Sequence, residues 1–183
     1  MAHIISINGI TPQIGCNCFL AETAVIIGDV VIGDNCSIWY GAVLRGDVNS
    51  IRIGNGVNIQ DNAVLHTLYQ KSVVTIGDNV SVGHNATVHG ADVQAHSLIG
   101  MGATLLDNAV IEECSIVAAG ALVLANARVE AGCIYAGVPA KFVKKLTPQQ
   151  AREINERTAR DYQMYASWFM APDAHSTTLN RTE

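Results

Sequence analysis

Three histidines, His66, His84 and His89, fall within 24 residues of one another. Close by stand Arg45 and Asp47 in the run LRGDV, and Asn58, Gln60 and Asp61 in NIQD. Neutral imidazole is the commonest metal-ligating side chain, and three of them leave a Zn²⁺ ion with its full charge and an open position. The chemistry suggested is that of a metal site, with carboxylates, an amide and an arginine around it. A lone histidine at a strand end is an ordinary surface residue, so the case depends on whether the chain brings these three into alignment.

The elements that position them are repeats. From Leu20 an aliphatic residue recurs every six positions: Leu20, Ile26, Ile32, Ile38 and Leu44. The count resumes at Ile53, Ile59 and Leu65, again at Ile76, Val82 and Val88, and finally from Val93 through Val129. Four positions after each marker stands a small or thin side chain, such as Ala24, Cys36, Ala63 or Ala103. Three positions after it, Asn, Asp or Gly is common (Asp29, Asn35, Gly56, Asn62, Asn79, Asn85), residue types that tolerate a left-handed corner. This is the hexapeptide repeat of a parallel β-helix, in which three hexads make one triangular coil. The fold class expected is all-β: a triangular prism over 20–140, with residues 1–19 as a lead-in. Thr147, Pro148 and Gln150 read as an N-cap, a first-turn proline and a capping box. A helix over 146–170 follows, with Ala151, Ile154, Thr158, Tyr162, Tyr165 and Phe169 facing the prism, and then a loose polar tail, 171–183.

The count breaks in three places. Leu44 to Ile53 is nine residues, Leu65 to Ile76 eleven, and Val88 to Val93 five. An uninterrupted coil is 18 residues; Arg45 to His66 is 21 and His66 to His89 is 23, the excess being the inserted residues. Each of the three follows its marker directly, so they stack on one corner column, with neighbouring coils about 4.8 Å apart. Asp61 and His84 stack in the same way on a different edge. His84 and His89 are five residues of extended chain apart, roughly 16 Å. They do not share an ion within one subunit, but a rotationally related neighbour can supply His84 to the His66–His89 pair, and a threefold ring closes with three equivalent sites. Arg45 and Asp47 read either as a corner ion pair or as a bridge between subunits.

Composition narrows the partners. Hydrophobic residues make up 49% of the 183-residue chain, aromatics 5% and charged residues 15%, which excludes a disordered chain. The net charge of −5 argues against nucleic acid or an anionic membrane as a partner. The N-terminus shows no basic segment followed by an apolar one, and the odd count of five cysteines suits reduced thiols, so a cytoplasmic setting is expected. Cys16 and Cys18 are too close in sequence for a Cys-x-x-Cys knuckle and are read as structural.

The motifs Leu44-Arg45-Gly46-Asp47, Asn58-Ile59-Gln60-Asp61-Asn62, Leu65-His66-Thr67, Gly83-His84-Asn85 and Val88-His89-Gly90 together resemble the γ-class carbonic anhydrase-like family. The resemblance extends through Gly137-Val138-Pro139-Ala140-Lys141 and the C-terminal helix. It implies a left-handed coil and a homotrimer with Zn²⁺, or Fe²⁺ or Co²⁺, at each interface. His66 and His89 come from one subunit and His84 from the next. Arg45 and Asp47 make intersubunit contacts, Gln60 hydrogen-bonds the metal-bound water or bicarbonate, Asp61 pairs with the arginine, Asn58 lies near the substrate pocket and Tyr162 approaches the metal. The implied activity is zinc-hydroxide hydration of CO2 to bicarbonate, a carbonate dehydratase-like lyase reaction. Val48 replaces the glutamate that follows Arg-x-Asp in the most active members, and the loop 67–75 (TLYQKSVVT) has no acid, which is similar to the short-loop subgroup. Two other classes use the same prism. A hexapeptide acyltransferase or metal-dependent acyl-CoA thioesterase needs one catalytic histidine and a pantetheine groove rather than three aligned histidines. A non-catalytic trimeric scaffold uses the metal only to hold its interface.

Overall fold

The computed structural model describes residues 2–170; the tail 171–183 lies outside them, as do Met1 and the side chain of Arg152. Among the described residues there are twenty strands, most of them two or three residues long, and one helix. The strands stack in parallel as three flat faces of about seven coils each. On the first face Val43, Leu44 and Arg45 lie against Val64, Leu65 and His66, which lie in turn against Thr87, Val88 and His89. The second face carries Ile51, Arg52 and Ile53 against Val74, Thr75 and Ile76, followed by Asp92 and Val93. The third carries Ser37 and Ile38, Asn58 and Ile59, Ser81 and Val82, and Leu98 and Ile99. Strands of two or three residues persist here because every coil is hydrogen-bonded to the coil before and after it.

The six-residue markers fill the prism. Ile26, Ile38, Leu44, Ile59, Leu65, Val82, Val88, Ile99, Leu105 and Ile111 are fully buried. Ala24, Ala42, Ala63, Ala86, Ala103 and Ala109 are fully buried too, where a larger side chain would hold the corner open. The corners use positive φ at Asn35, Asn62, Asn79, Asn85, Asn108 and Asn126, as the spacing predicts. Asp29 is an exception: Gly28 takes the left-handed conformation in its place, because the long strand Val25–Ile32 turns its corner one residue earlier.

The coil begins ahead of Leu20. His3–Ile5 pairs in parallel with Val25–Ile27, and Gln13–Ile14 with Val31–Ile32, so much of 1–19 is already prism. At the other end Cys133–Ala136 pairs antiparallel with Lys141–Lys145, a strand the repeat does not announce.

The helix Pro148–Met170 lies on the third face, against the strands at Phe19–Leu20, Ser37–Ile38, Asn58–Ile59 and Ser81–Val82. Its capping box forms: Gln150 N–H donates to Thr147 Oγ1 at 3.2 Å, and Thr147 N–H to Gln150 Oε1 at 3.0 Å. Ala151, Asn155, Ala159 and Ala166 are its most buried residues. Their small size lets the backbone approach a flat sheet, with Ile154, Thr158, Tyr162, Tyr165 and Phe169 half-buried alongside. No helix among the described residues is long and apolar enough to cross a membrane.

Ile59 ends its strand on the third face beside the His84 edge and is fully buried. Ile59→Ala is expected to cost about 2–5 kcal/mol, read as a lowered midpoint in chemical denaturation with an unchanged slope.

Candidate metal centre

All three breaks in the count fall at the corner between the first and second faces, since Leu44, Leu65 and Val88 lie on one and Ile53, Ile76 and Val93 on the other. The register holds across the insertions: Arg45 is the partner of His66, and His66 of His89. His66 Nδ1 lies 3.2 Å from His89 Nε2. The far nitrogen of each ring faces a carboxylate, His66 Nε2 with Asp47 Oδ1 at 3.2 Å and His89 Nδ1 with Asp107 Oδ1 at 3.0 Å. Asp47 in turn binds Arg45, whose guanidinium lies 2.6 Å from Oδ2.

These contacts assign the tautomers. A carboxylate only accepts, so His66 Nε2 and His89 Nδ1 carry the ring protons. Their near nitrogens then turn lone pairs towards each other. Two lone pairs at that distance repel unless a proton or a metal cation lies between them. Two ligands on one tetrahedral Zn²⁺ are separated by about 3.3–3.4 Å for Zn–N bonds of 2.0–2.1 Å, close to the separation seen. Burial, and after it the charge of Arg45, holds His66 below the usual imidazole range, which keeps it neutral and able to ligate. Burial pushes the Asp47 carboxyl up, but hydrogen bonds from Arg45 and His66 outweigh it and hold the group below the usual carboxylate range. Thr67 Oγ1, next in the chain after His66, is buried and has no hydrogen-bond partner. The residues present fit a divalent ion.

His84 stands at the corner between the third and first faces. Its Nδ1 lies 2.9 Å from Asp61 Oδ2 and its Nε2 3.1 Å from the Tyr162 hydroxyl. The helix thus delivers Tyr162 to the third histidine. Asn58 and Gln60 are buried behind this edge: Asn58 Nδ2 donates to Ser81 Oγ at 2.7 Å, Gln60 Nε2 to Asn58 Oδ1 at 3.0 Å, and the His84 N–H to Gln60 Oε1 at 3.2 Å. Within the chain Asp61 binds His84, while Arg45 lies on the other edge with Asp47. Beside His84 is a cavity of about 400 Å³ lined by Trp39, Tyr40, Tyr162, Tyr165, Trp168 and Phe169. One of similar size, about 410 Å³, opens at the start of the helix by His96 and Leu146 and contains none of the three histidines.

Among the described residues of one chain, no three His, Cys, Asp or Glu side chains converge tightly enough to hold an ion. The two histidine edges lie on separate corners of the prism. Sequence reasoning missed Asp107 and Ser72. Asp107 was within reach of the counting, since it lies 18 residues, one uninterrupted coil, beyond His89. Ser72 lies inside the five-residue insertion, where the count gives no position.

Several known proteins are similar to this chain. The Bacterial transferase hexapeptide (six repeats) family matches residues 11–46. The chain is 48% identical over 157 residues to the mitochondrial gamma carbonic anhydrase 2 of Arabidopsis thaliana, covering 83% of this chain and 56% of that protein. It is 41% identical over 170 residues to a carbonic anhydrase of Geobacillus kaustophilus, covering 93% of this chain and 92% of the relative. It thus spans little more than half the length of the plant relatives but nearly all of the bacterial one. Among solved structures, a hexapeptide transferase family protein from Anaplasma phagocytophilum superposes with a TM-score of 0.85 at 38% identity, over 91% of this chain and 98% of that one. The fold defines a hexapeptide-repeat protein. Within that class, the chain belongs to the γ-class carbonic anhydrase-like family.

Burial, and then the charge of Asp61, pushes the Tyr162 phenol up to about 12 from an ordinary 10.0, so it remains a donor to His84 at any physiological pH. Its folded value is the higher one, so the stability it contributes is complete below 10 and lost as pH rises towards 12. A spectroscopic titration of tyrosinate is expected to show a late-ionising tyrosine that disappears in Tyr162→Phe.

Proposed function

We propose that the protein is a γ-carbonic anhydrase-like metalloenzyme that interconverts CO2 and bicarbonate at the interfaces of a homotrimer. The observation that carries this is the close approach of His66 Nδ1 and His89 Nε2, 3.2 Å apart, each ring having a carboxylate behind it. His84 has the same construction, with Asp61 behind Nδ1, and lies on another edge. A threefold rotation brings His84 of one subunit to the His66–His89 pair of the next. An ion held by three neutral imidazoles and one open position supplies a water that ionises near neutral pH. Zinc suits this donor set, as do ferrous and cobaltous ions.

The chain's own residues then hold and orient. Asp47 and Asp61 fix two rings in the ligating tautomer, and Arg45 holds Asp47. Gln60 and Asn58 form a buried amide network at the His84 backbone, from which Gln60 orients substrate or water. When His84 Nε2 turns to a neighbour's ion, the Tyr162 hydroxyl is left as a donor beside the site. The loop 67–75 carries no acid and Val48 none beside Asp47, so buffer, water or another side chain carries the proton. We read the setting as cytoplasmic and reducing; no disulfide joins the described cysteines.

An acyl-transfer reading draws on the transferase description of the Anaplasma phagocytophilum protein. It needs one catalytic histidine and a pantetheine groove, whereas here three histidines are each backed by a carboxylate, which favours the metal reading.

The test is metal content and stopped-flow CO2 hydration of the trimer. The wild type is expected to hold about one ion per chain and to hydrate CO2 at a rate that rises with buffer concentration, whereas His89→Ala loses both metal and activity. Metal retained by His89→Ala overturns the site. A metal-loaded protein that is inert to CO2 but acylated by acetyl-CoA transfers the assignment to acyl chemistry.

A further inference from the structure

The carboxylate behind His89 belongs to a small construction of its own. Asp107 Oδ1 lies 3.0 Å from His89 Nδ1 and 2.5 Å from Ser72 Oγ, so one oxygen accepts from both. Ser72 is 4% exposed and sits in the insertion that follows His66. Its hydroxyl also accepts the Leu68 N–H at 3.0 Å, and its carbonyl accepts Asn49 Nδ2 at 2.9 Å. The two side chains meet over Gly90, which has φ +61°; a Cβ there would collide with both Ser72 Oγ and Asp107 Oδ1. Segments from three levels of the prism therefore converge on one ring nitrogen: the loop after His66, the glycine after His89, and the coil beyond. A loop without acids, exposed at Leu68, Tyr69 and Val73, has the buried hydroxyl of Ser72 directed at the carboxylate that holds His89.

We propose that Asp107, braced by Ser72, is the positioning residue of His89: it fixes the ring with Nε2 bare and aimed at the ion, and the insertion 67–73 serves to hold that carboxylate in place. The inference rests on the metal reading of the site. A carboxylate on the far nitrogen of a ligating imidazole sets the tautomer and strengthens the donor, and losing one typically weakens metal binding 10–100-fold. Ser72 limits Asp107 to a single orientation, since a carboxylate with one partner swings more freely than one with two.

The experiment is Co²⁺ affinity, measured on the assembled protein by competition with a chelator and by the visible absorption of the bound ion, together with melting of the metal-free protein. Asp107→Asn and Asp107→Ala are expected to weaken Co²⁺ binding about 10–100-fold with an unchanged metal-free melt, and Ser72→Ala to weaken it in the same direction by less. Asp107 variants that hold Co²⁺ as the wild type does overturn the proposal. So do variants whose metal-free melts fall in step with their affinity, since the role is then only structural. A wild type that binds neither Co²⁺ nor Zn²⁺ fails differently: it removes the metal reading itself, and this inference with it.

Discussion

Everything in this chain depends on the parallel ladder keeping its register from coil to coil. A strand slipped by one residue puts every side chain on the opposite face. Here that would turn the buried markers out and the histidines in. The markers resist such a slip because each is enclosed by the coils above and below it, and an aliphatic core with no polar atoms offers no second arrangement. The register is thus fixed by residues that do no chemistry. Arg45, His66 and His89 inherit their alignment from Leu44, Leu65 and Val88, the residues immediately before them.

On that frame the electrostatics follow a single rule applied three times. Each imidazole has an aspartate behind it, Asp47 for His66, Asp61 for His84 and Asp107 for His89. The three carboxylates reach their rings from different places: the same corner one coil back, the neighbouring coil of another edge, and the coil beyond. The first is further held by Arg45 and the last by Ser72. The two kinds of edge are kept apart by the width of the prism face. The helix completes one of them by bringing Tyr162 to His84.

Much of this could be read from residue order because a solenoid converts sequence distance directly into height. Counting in sixes locates the core, and counting in coils locates Arg45 beside His66 and Asp61 beside His84. The capping box at Thr147 and Gln150 is likewise a local signal and forms as written. What counting could not reach lies where the period is absent. The first coil has no clean hexads before Leu20, yet its strands pair onto Val25–Ile32. The strand Lys141–Lys145 reverses direction, which a translational repeat cannot encode. On the helix, aromatic spacing pointed to Tyr162, Tyr165 and Phe169, while the closest approach is made by Ala159 and Ala166, whose small size is what a flat partner requires. Ser72 eluded the count because an insertion has length but no phase.

That last point has a consequence for how such a protein changes over time. The three irregular spacings all sit on one edge, and the walls on either side re-enter step regardless of what lies between them. Lengthening a flexible loop costs little, about 0.6 kcal/mol for each doubling, and here that cost is separated from the packing that holds the prism together. The edge beside His66 is therefore open to experiment: residues can be added, removed or recharged there while the scaffold stays as it is. Catalytic temperament and architectural soundness are stored in different parts of the same chain, and selection can act on one without disturbing the other.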